Sequence, residues 1–280
     1  MKSRRTNSLS FNDIKQIIDF SASRGAKSVI FAGAGEPTLD PLLKKILNYI
    51  KKKKLKSVLF TNLSTIKSIT QAKYYLENGP LIGKLFTMNE KKYNKITNCS
   101  TAFKNAQNAL KIMLKARNEL KVQGKNTVLA IDSYISKENA MDLPDLLRFC
   151  RKNEIIPYFE AFIELGQSIE VIKKYALSEK QLSLTLNKLK EIDKKEFGIK
   201  TKLVEGSRNY GQDICNKATH MFCVKENGDV AMCVCSLRNI GSIYEDKDVF
   251  KSLEEMFNIK NSKLLDHFKC DKCSKTYRRK

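Results

Sequence analysis

Short β-branched or apolar runs alternate with amphipathic helical stretches along the first two-thirds of the chain. Ser10, with Asp13 three residues on, reads as a capped helix start; Ile14, Ile17 and Ile18 then follow one helical face, and Gly25 is the expected stop. Ser28-Val29-Ile30-Phe31-Ala32 predicts a buried strand that runs into a glycine-rich turn. Pro41 suits the first turn of a helix whose apolar face is Leu42, Leu43, Ile46, Leu47 and Ile50. The unit recurs. Strands are expected at Ser57–Thr61, Ile82–Met88, Thr127–Asp132 and Ile156–Ile163, and helices near Ile66–Asn78, Ala102–Leu120 and Leu143–Asn153. Strands alternating with helices predict a parallel sheet, as a barrel or a doubly wound sheet. Ser178 with Gln181 opens another capped helix through Lys195.

After Gly198 the rhythm changes to short runs rich in cysteine, with Asn227-Gly228 as a turn signal between two of them. The expected division is therefore a βα domain over residues 1–200 and a small cysteine-rich domain over 205–280. At 280 residues, 42% hydrophobic and 29% charged, the chain has the balance of a soluble protein with a substantial core. No run of about 18 apolar residues predicts a membrane span, and no long apolar stretch follows the basic Met1-Lys2-Ser3-Arg4-Arg5; the expected location is cytoplasmic. The net charge of +22 comes mostly from dispersed lysine rather than arginine, with short runs such as Lys51-Lys52-Lys53-Lys54. That pattern reads as solvated surface more than as a phosphate-reading arginine set, so nucleic acid is not the expected partner.

The sharpest local feature is Phe31-Ala32-Gly33-Ala34-Gly35-Glu36-Pro37-Thr38. A strand enters a turn whose two glycines let backbone approach a ligand, and a carboxylate precedes a rigid proline. The residues themselves leave two readings open: a small-molecule cradle with Glu36 accepting from an ammonium, or a plain βα turn.

This segment resembles the Gly-x-Gly-Glu-Pro motif that follows the second barrel strand of radical S-adenosylmethionine (SAM) enzymes. The resemblance extends over most of residues 9–167, through Leu9-Ser10, Phe60-Thr61-Asn62, Ile82-Gly83-Lys84-Leu85 with Asn89–Tyr93, and Arg148–Arg151 through Ile156–Glu160 to Gly166. It implies a partial parallel βα barrel lacking its first strand, with SAM held by Gly33, Ala34, Gly35, Glu36 and Pro37. Thr61, Asn62, Lys84 and Thr87 sit where later strand ends of the family face the cofactor, and Asp132 and Glu160 are further candidates for the barrel mouth. The family carries Cys-x3-Cys-x2-Cys just ahead of the segment where this chain begins, whereas no cysteine here precedes Cys99. Cys99 and Cys150 have the wrong placement to substitute. The resemblance therefore implies a truncated chain or a degenerate relative. Truncation is favoured, since the first strand would be lost together with the cysteines and a lone loss of that strand would open a sheet edge.

Six of the eight cysteines crowd the last quarter. A hairpin turning at Gly228 would bring Cys215 and Cys233 together, and Cys270 and Cys273 add a pair at chelating spacing. Four thiolates of this kind accept either Zn2+ or an iron–sulfur cluster. The arrangement resembles the SPASM and twitch extensions of radical SAM enzymes, which implies one auxiliary [4Fe–4S] cluster on Cys215, Cys233, Cys270 and Cys273, with Cys223 and Cys235 spare. His220 and His267 are read as surface or packed histidines rather than ligands.

The expected function is thus SAM-dependent radical modification of a peptide or small-molecule substrate, fed by an electron-donor protein if the chain is active. The rivals are a non-catalytic SAM- or peptide-binding relative and a basic nucleic-acid-binding protein with a zinc ribbon.

Overall fold

The computed structural model describes residues 8–32, 35–161, 169–199, 221–231, 234, 239–245 and 248–260. In chain order these form α1 (Phe11–Ser23), β1 (Ser28–Phe31), α2 (Leu43–Lys52), β2 (Lys56–Thr61), α3 (Ile69–Asn78), β3 (Leu81–Lys84), α4 (Glu90–Thr97) and α5 (Ala102–Val122). There follow β4 (Leu129–Ile135), α6 (Leu143–Lys152), β5 (Ile156–Ala161), α7 (Ile169–Tyr175), α8 (Glu179–Phe197), β6 (Cys223–Val224), β7 (Asp229–Ala231), β8 (Asn239–Ser242) and α9 (Val249–Lys260). They fall into two compact units, one holding β1 to β5 with α2 to α6 and α8, the other holding α1, β6 to β8 and α9.

The first unit is a five-stranded, wholly parallel sheet in the order β1-β2-β3-β4-β5. It is the partial parallel βα barrel that the alternating pattern and the family resemblance lead one to expect. Its curvature is visible in one contact. The rings of Phe60 on β2 and Tyr158 on β5 lie 6.3 Å apart, edge to face. Two strands separate them, and a flat sheet would hold such strands about 14 Å apart. The sheet therefore curls into a trough with both rings on its concave side.

Helices cover the other face, and the reasons are local. α2 turns Leu43, Ile46, Leu47 and Ile50 inward while its lysines stay in water. On β2 Ser57, Leu59 and Thr61 are buried in alternation. Gly79 leads into β3 at φ 151°, and a Cβ there would lie 2.0 Å from the carbonyl oxygen of Ser57, so only glycine lets the chain pass. Arg117 of α5, almost fully buried, donates to the carbonyl oxygens of Asn153 and Glu154 just past α6 at 2.6 and 2.8 Å, satisfying acceptors that the helix end leaves open. Arg151 of α6 pairs with the buried Asp193 of α8 through two hydrogen bonds of 2.8 and 2.5 Å.

The second unit is smaller. β6, β7 and β8 form an antiparallel sheet, with Asn227-Gly228 in the first turn as expected. Its described core is Val230, Val249 and Leu253, ringed by Phe20, Phe222, Val224, Ile240, Ile243 and Phe250. Phe20 belongs to α1. The helix is fastened further by a hydrogen bond from the Tyr244 hydroxyl to Asp13 at 3.0 Å and an ion pair between Arg24 and Glu254. The N-terminal helix therefore belongs to the same unit as the C-terminal elements. No helix among the described residues is long and apolar enough to cross a membrane.

Candidate functional site at the carboxyl end of the parallel strands

Residue pairing identifies what lines the trough. Phe60 aligns with Ile82, Ala130 and Ile156, an apolar row. The next row toward the carboxyl ends is Lys84, Asp132 and Tyr158, followed by Tyr134 beside Glu160. The concave face thus changes from aliphatic to polar at the end where parallel βα sheets receive their ligands. Asp132 is only 6% exposed, whereas Lys84 is exposed and Tyr158, Tyr134 and Glu160 are half-buried. Burial pushes the Tyr134 phenol up to about 12, with nearby Glu138 adding to it, so it stays a neutral donor across the ordinary pH range.

The carboxyl end of β4 is held by Asn139. Its side-chain oxygen accepts from the Ser136 N–H and hydroxyl at 2.9 and 3.1 Å, and its amide nitrogen donates to the carbonyl oxygens of Phe86 and Tyr134 at 2.9 and 2.7 Å. A fully buried carboxamide with its partners supplied fixes the β3 and β4 exits relative to each other.

The turn after β1 is built around Glu36. One carboxylate oxygen accepts from the Thr38 N–H at 3.3 Å and its hydroxyl at 2.5 Å; the other accepts from the Asn62 backbone N–H, beyond β2, at 2.6 Å. The Thr38 hydroxyl also contacts that of Thr65. Glu36 is therefore a clamp between the β1 and β2 exits, and Pro37 opens the single 3-10 turn that carries Thr38. Gly35 is different in kind from Gly79. Its φ lies outside the left-handed region and a Cβ would meet nothing within 4 Å. Neither backbone strain nor a neighbour in the chain calls for glycine here, while a ligand lying against the backbone would.

Of the residues singled out from sequence, Glu36 and Asn62 are brought together, and Lys84 stands beside Asp132. Thr61 and Thr87 are both fully buried and serve the fold: the Thr61 hydroxyl accepts from the Leu63 N–H at 3.1 Å, and the Thr87 hydroxyl donates to Asp142 at 2.9 Å and accepts from the Asn89 N–H at 3.0 Å. Gly33 and Ala34 lie outside the described residues, as do Cys215, Cys233, Cys235, Cys270, Cys273, His220 and His267. Among the described residues no group of three or more His, Cys, Asp or Glu is placed to hold a metal ion. Cys223 sits half-buried on β6 opposite Ala231. Thr38, Thr65 and Tyr158 were not singled out from sequence. Thr38 carried a local signal, two residues after Glu36, but Thr65 and Tyr158 join the site only through the curl of the sheet.

No protein-family model matches the chain, and no curated protein sequence matches it. Solved structures do. SuiB of Streptococcus suis bound to precursor peptide SuiA superposes with a TM-score of 0.68 at 16% identity, over 92% of this chain and 62% of that one. The S. suis SuiB structure bound to S-adenosylmethionine gives 0.68 at 15% identity over 93% and 63%. Native anSMEcpe with bound AdoMet and Cp18Cys peptide gives 0.68 at 16% identity over 93% and 75%. The chain thus spans less than two-thirds of the length of SuiB, and the likeness is one of fold.

Proposed function

We propose that the chain is a radical SAM superfamily protein that binds S-adenosylmethionine at the carboxyl ends of β1 to β4 and acts on a peptide substrate. The observation that carries this reading is Gly35, a glycine with open space beside it, next to the Glu36 clamp past the carboxyl end of β1, the same end of the sheet at which the strands β3 to β5 turn polar. SAM carries an ammonium, a carboxylate, a ribose and an adenine ring. In this reading the Gly35–Pro37 backbone, with Gly33 and Ala34 before it in sequence, takes the amino-acid end, Lys84 supplies a cation for the carboxylate, and the buried Asp132 an acceptor beside it. Glu36 acts by holding the Asn62 backbone and the turn in one arrangement. Support for the ligand classes comes from solved structures of similar fold that contain S-adenosylmethionine and peptides.

In this superfamily a [4Fe–4S] cluster supplies the electron that cleaves bound SAM. This chain has no cysteine before Cys99, so its own residues do not fit the core cluster, and the cleavage step is not assigned to them. The auxiliary cluster is a separate part of the proposal and rests on the spacing of Cys215, Cys233, Cys270 and Cys273, with Zn2+ as the competing occupant. The domain division near residue 205, a cytoplasmic setting and an electron-donor protein belong to the same reading.

Titration of the full chain with S-adenosylmethionine by calorimetry tests the first part. The wild type is expected to bind, and Gly35→Ala to keep its melting temperature while affinity drops about tenfold, because the added Cβ meets no protein atom within 4 Å outside its chain neighbours and occupies space the proposed ligand needs. A wild type that does not bind, or a variant that binds equally well, removes the reading. Iron and sulfide analysis after anaerobic reconstitution, with and without Cys215→Ala, tests the second. Unchanged iron in the variant, or zinc in place of iron, removes the cluster from the proposal.

A further inference from the structure

On the outer, helical side of the parallel-sheet unit, a groove of about 440 Å³ runs between the segment entering α3 and the long helix α5. Ile66 and Lys67 line it from the first, and Asn105, Asn108, Lys111 and Ile112 from the second. Spacings of three and four residues put the α5 members along one helical edge. The groove plays no part in the SAM reading.

Its chemistry is specific. Half-buried Ile112 supplies apolar contact above the fully buried Ile66, two carboxamides can each donate and accept at once, and two ammonium groups come from different elements. No carboxylate lines it. The acids nearest in sequence on the flanking helices are already engaged, Glu77 with Lys125 and Glu119 with Lys73. Lys67 and Lys111 form no ion pair among the described residues. The groove is therefore a local excess of positive charge with hydrogen-bonding side chains fitted to amide groups.

We infer that this groove docks an acidic peptide segment, its backbone amides meeting Asn105 and Asn108, its carboxylates meeting Lys67 and Lys111, and an apolar side chain resting on Ile112. A nucleic acid is the poorer match. The lining has no aromatic ring for a base to stack on and no arginine fork for phosphate. A bare inorganic anion leaves Ile112 and the carboxamides without a role.

The test uses the full chain and a fluorescein-labelled peptide of about ten residues alternating Glu with Val, read by anisotropy. Saturable binding is expected, weakened about tenfold or more between about 50 and about 500 mM salt. The double variant Lys67→Glu/Lys111→Glu is expected to lower affinity about tenfold or more, and Asn105→Ala/Asn108→Ala several-fold with the same salt dependence. A control at exposed lysines elsewhere on the unit, Lys91→Glu/Lys188→Glu, makes the same change in net charge and is expected to leave affinity within about twofold. Circular dichroism checks that each variant is folded. Absence of binding, an equal loss in the control, or a single-stranded oligonucleotide that binds more tightly and is lost through the same two lysines overturns the inference.

Discussion

The parallel-sheet unit and the small C-terminal unit solve the problem of stability differently. The first encloses a core from β2 to β5 and from helices α2 to α6 and α8; it has enough buried aliphatic surface to stand on side-chain packing. The second has five fully buried apolar residues among those described, Ile18, Val230, Ala231, Val249 and Leu253, and half of the partly buried side chains packed on its central cluster are aromatic. A core of that size is marginal without another constraint. Two constraints suggest themselves. One is on view, the helix α1 brought in from the far end of the sequence to add Phe20 between Phe222 and Phe250 at centroid distances of 6.0 and 5.0 Å. The other is the proposed thiolate-bound centre, whose ligands fall in the same quarter of the chain.

The comparison is broken most forcefully from the large unit. Gly79→Ala places a methyl against the Ser57 carbonyl at a φ that non-glycine residues avoid, and is expected to cost about 3 kcal/mol or more. Hydrogen exchange should show the loss throughout β1 to β5 while β6 to β8 keep their protection. If protection falls equally in both units, they are one cooperative body and the contrast drawn above is wrong.

Phe20→Ala works from the other side. The ring is half-buried, edge-on to Phe222 and tilted against Phe250, so its removal is expected to cost about 2 kcal/mol, confined to β6 to β8 and α9. Reconstitution with iron and sulfide sharpens the comparison: a bound centre that supports this unit should restore most of the lost protection. An effect of Phe20→Ala on the parallel strands instead would place α1 with the wrong partner.

How much of this was open to sequence reading follows the range of the interactions involved. The capping boxes at Ser10 with Asp13 and Ser178 with Gln181 are both formed, and the apolar face of α2 is buried as its spacing required, because these depend on residues within a turn or two of one another. The sequence pattern predicts no helix at α4, although Asn89 caps it by accepting from the Lys92 N–H and Glu90 stands in its first turn. Its eight residues carry too little apolar periodicity to outweigh an Asn-Glu-Lys-Lys string. The same segment shortens β3, expected to reach Met88. After Leu85 donates one more bond to Asp132, Thr87 and Asn89 turn the chain out of the sheet. At the site, Glu36 was legible as a residue but its job was not. Its long-range partner, the Asn62 N–H, is 26 residues away and is brought near by parallel pairing of β1 with β2. The attachment of α1 to the C-terminal unit lies still further out of reach, since the Asp13 and Tyr244 partners are 231 residues apart.

The last prediction changes no stability at neutral pH and separates the thiols of the two units by reactivity. Cys99 is exposed, and hydrogen bonds from the Thr101 hydroxyl and N–H hold its thiol below the usual range, favouring the reactive thiolate. Cys150 is fully buried on α6, and burial pushes its thiol up to about 12. With iodoacetamide at neutral pH, peptide mapping should find Cys99 modified in the native protein and Cys150 only after unfolding. The raised value at Cys150 also fixes a sign. The buried neutral thiol contributes stability fully below the free-cysteine value of about 8.5, and loses it progressively as pH climbs toward 12, since the unfolded chain releases its proton first. Cysteines 215, 233, 270 and 273 should follow a third pattern set by metal rather than by packing: open to alkylation in the metal-free chain and protected after anaerobic reconstitution, with Cys99 still reactive in both states. Protection of Cys99 on reconstitution, or no change at the four C-terminal thiols, would mean that the small unit is not held by a thiolate-bound centre and that its stability must come from packing of the kind Phe20 provides.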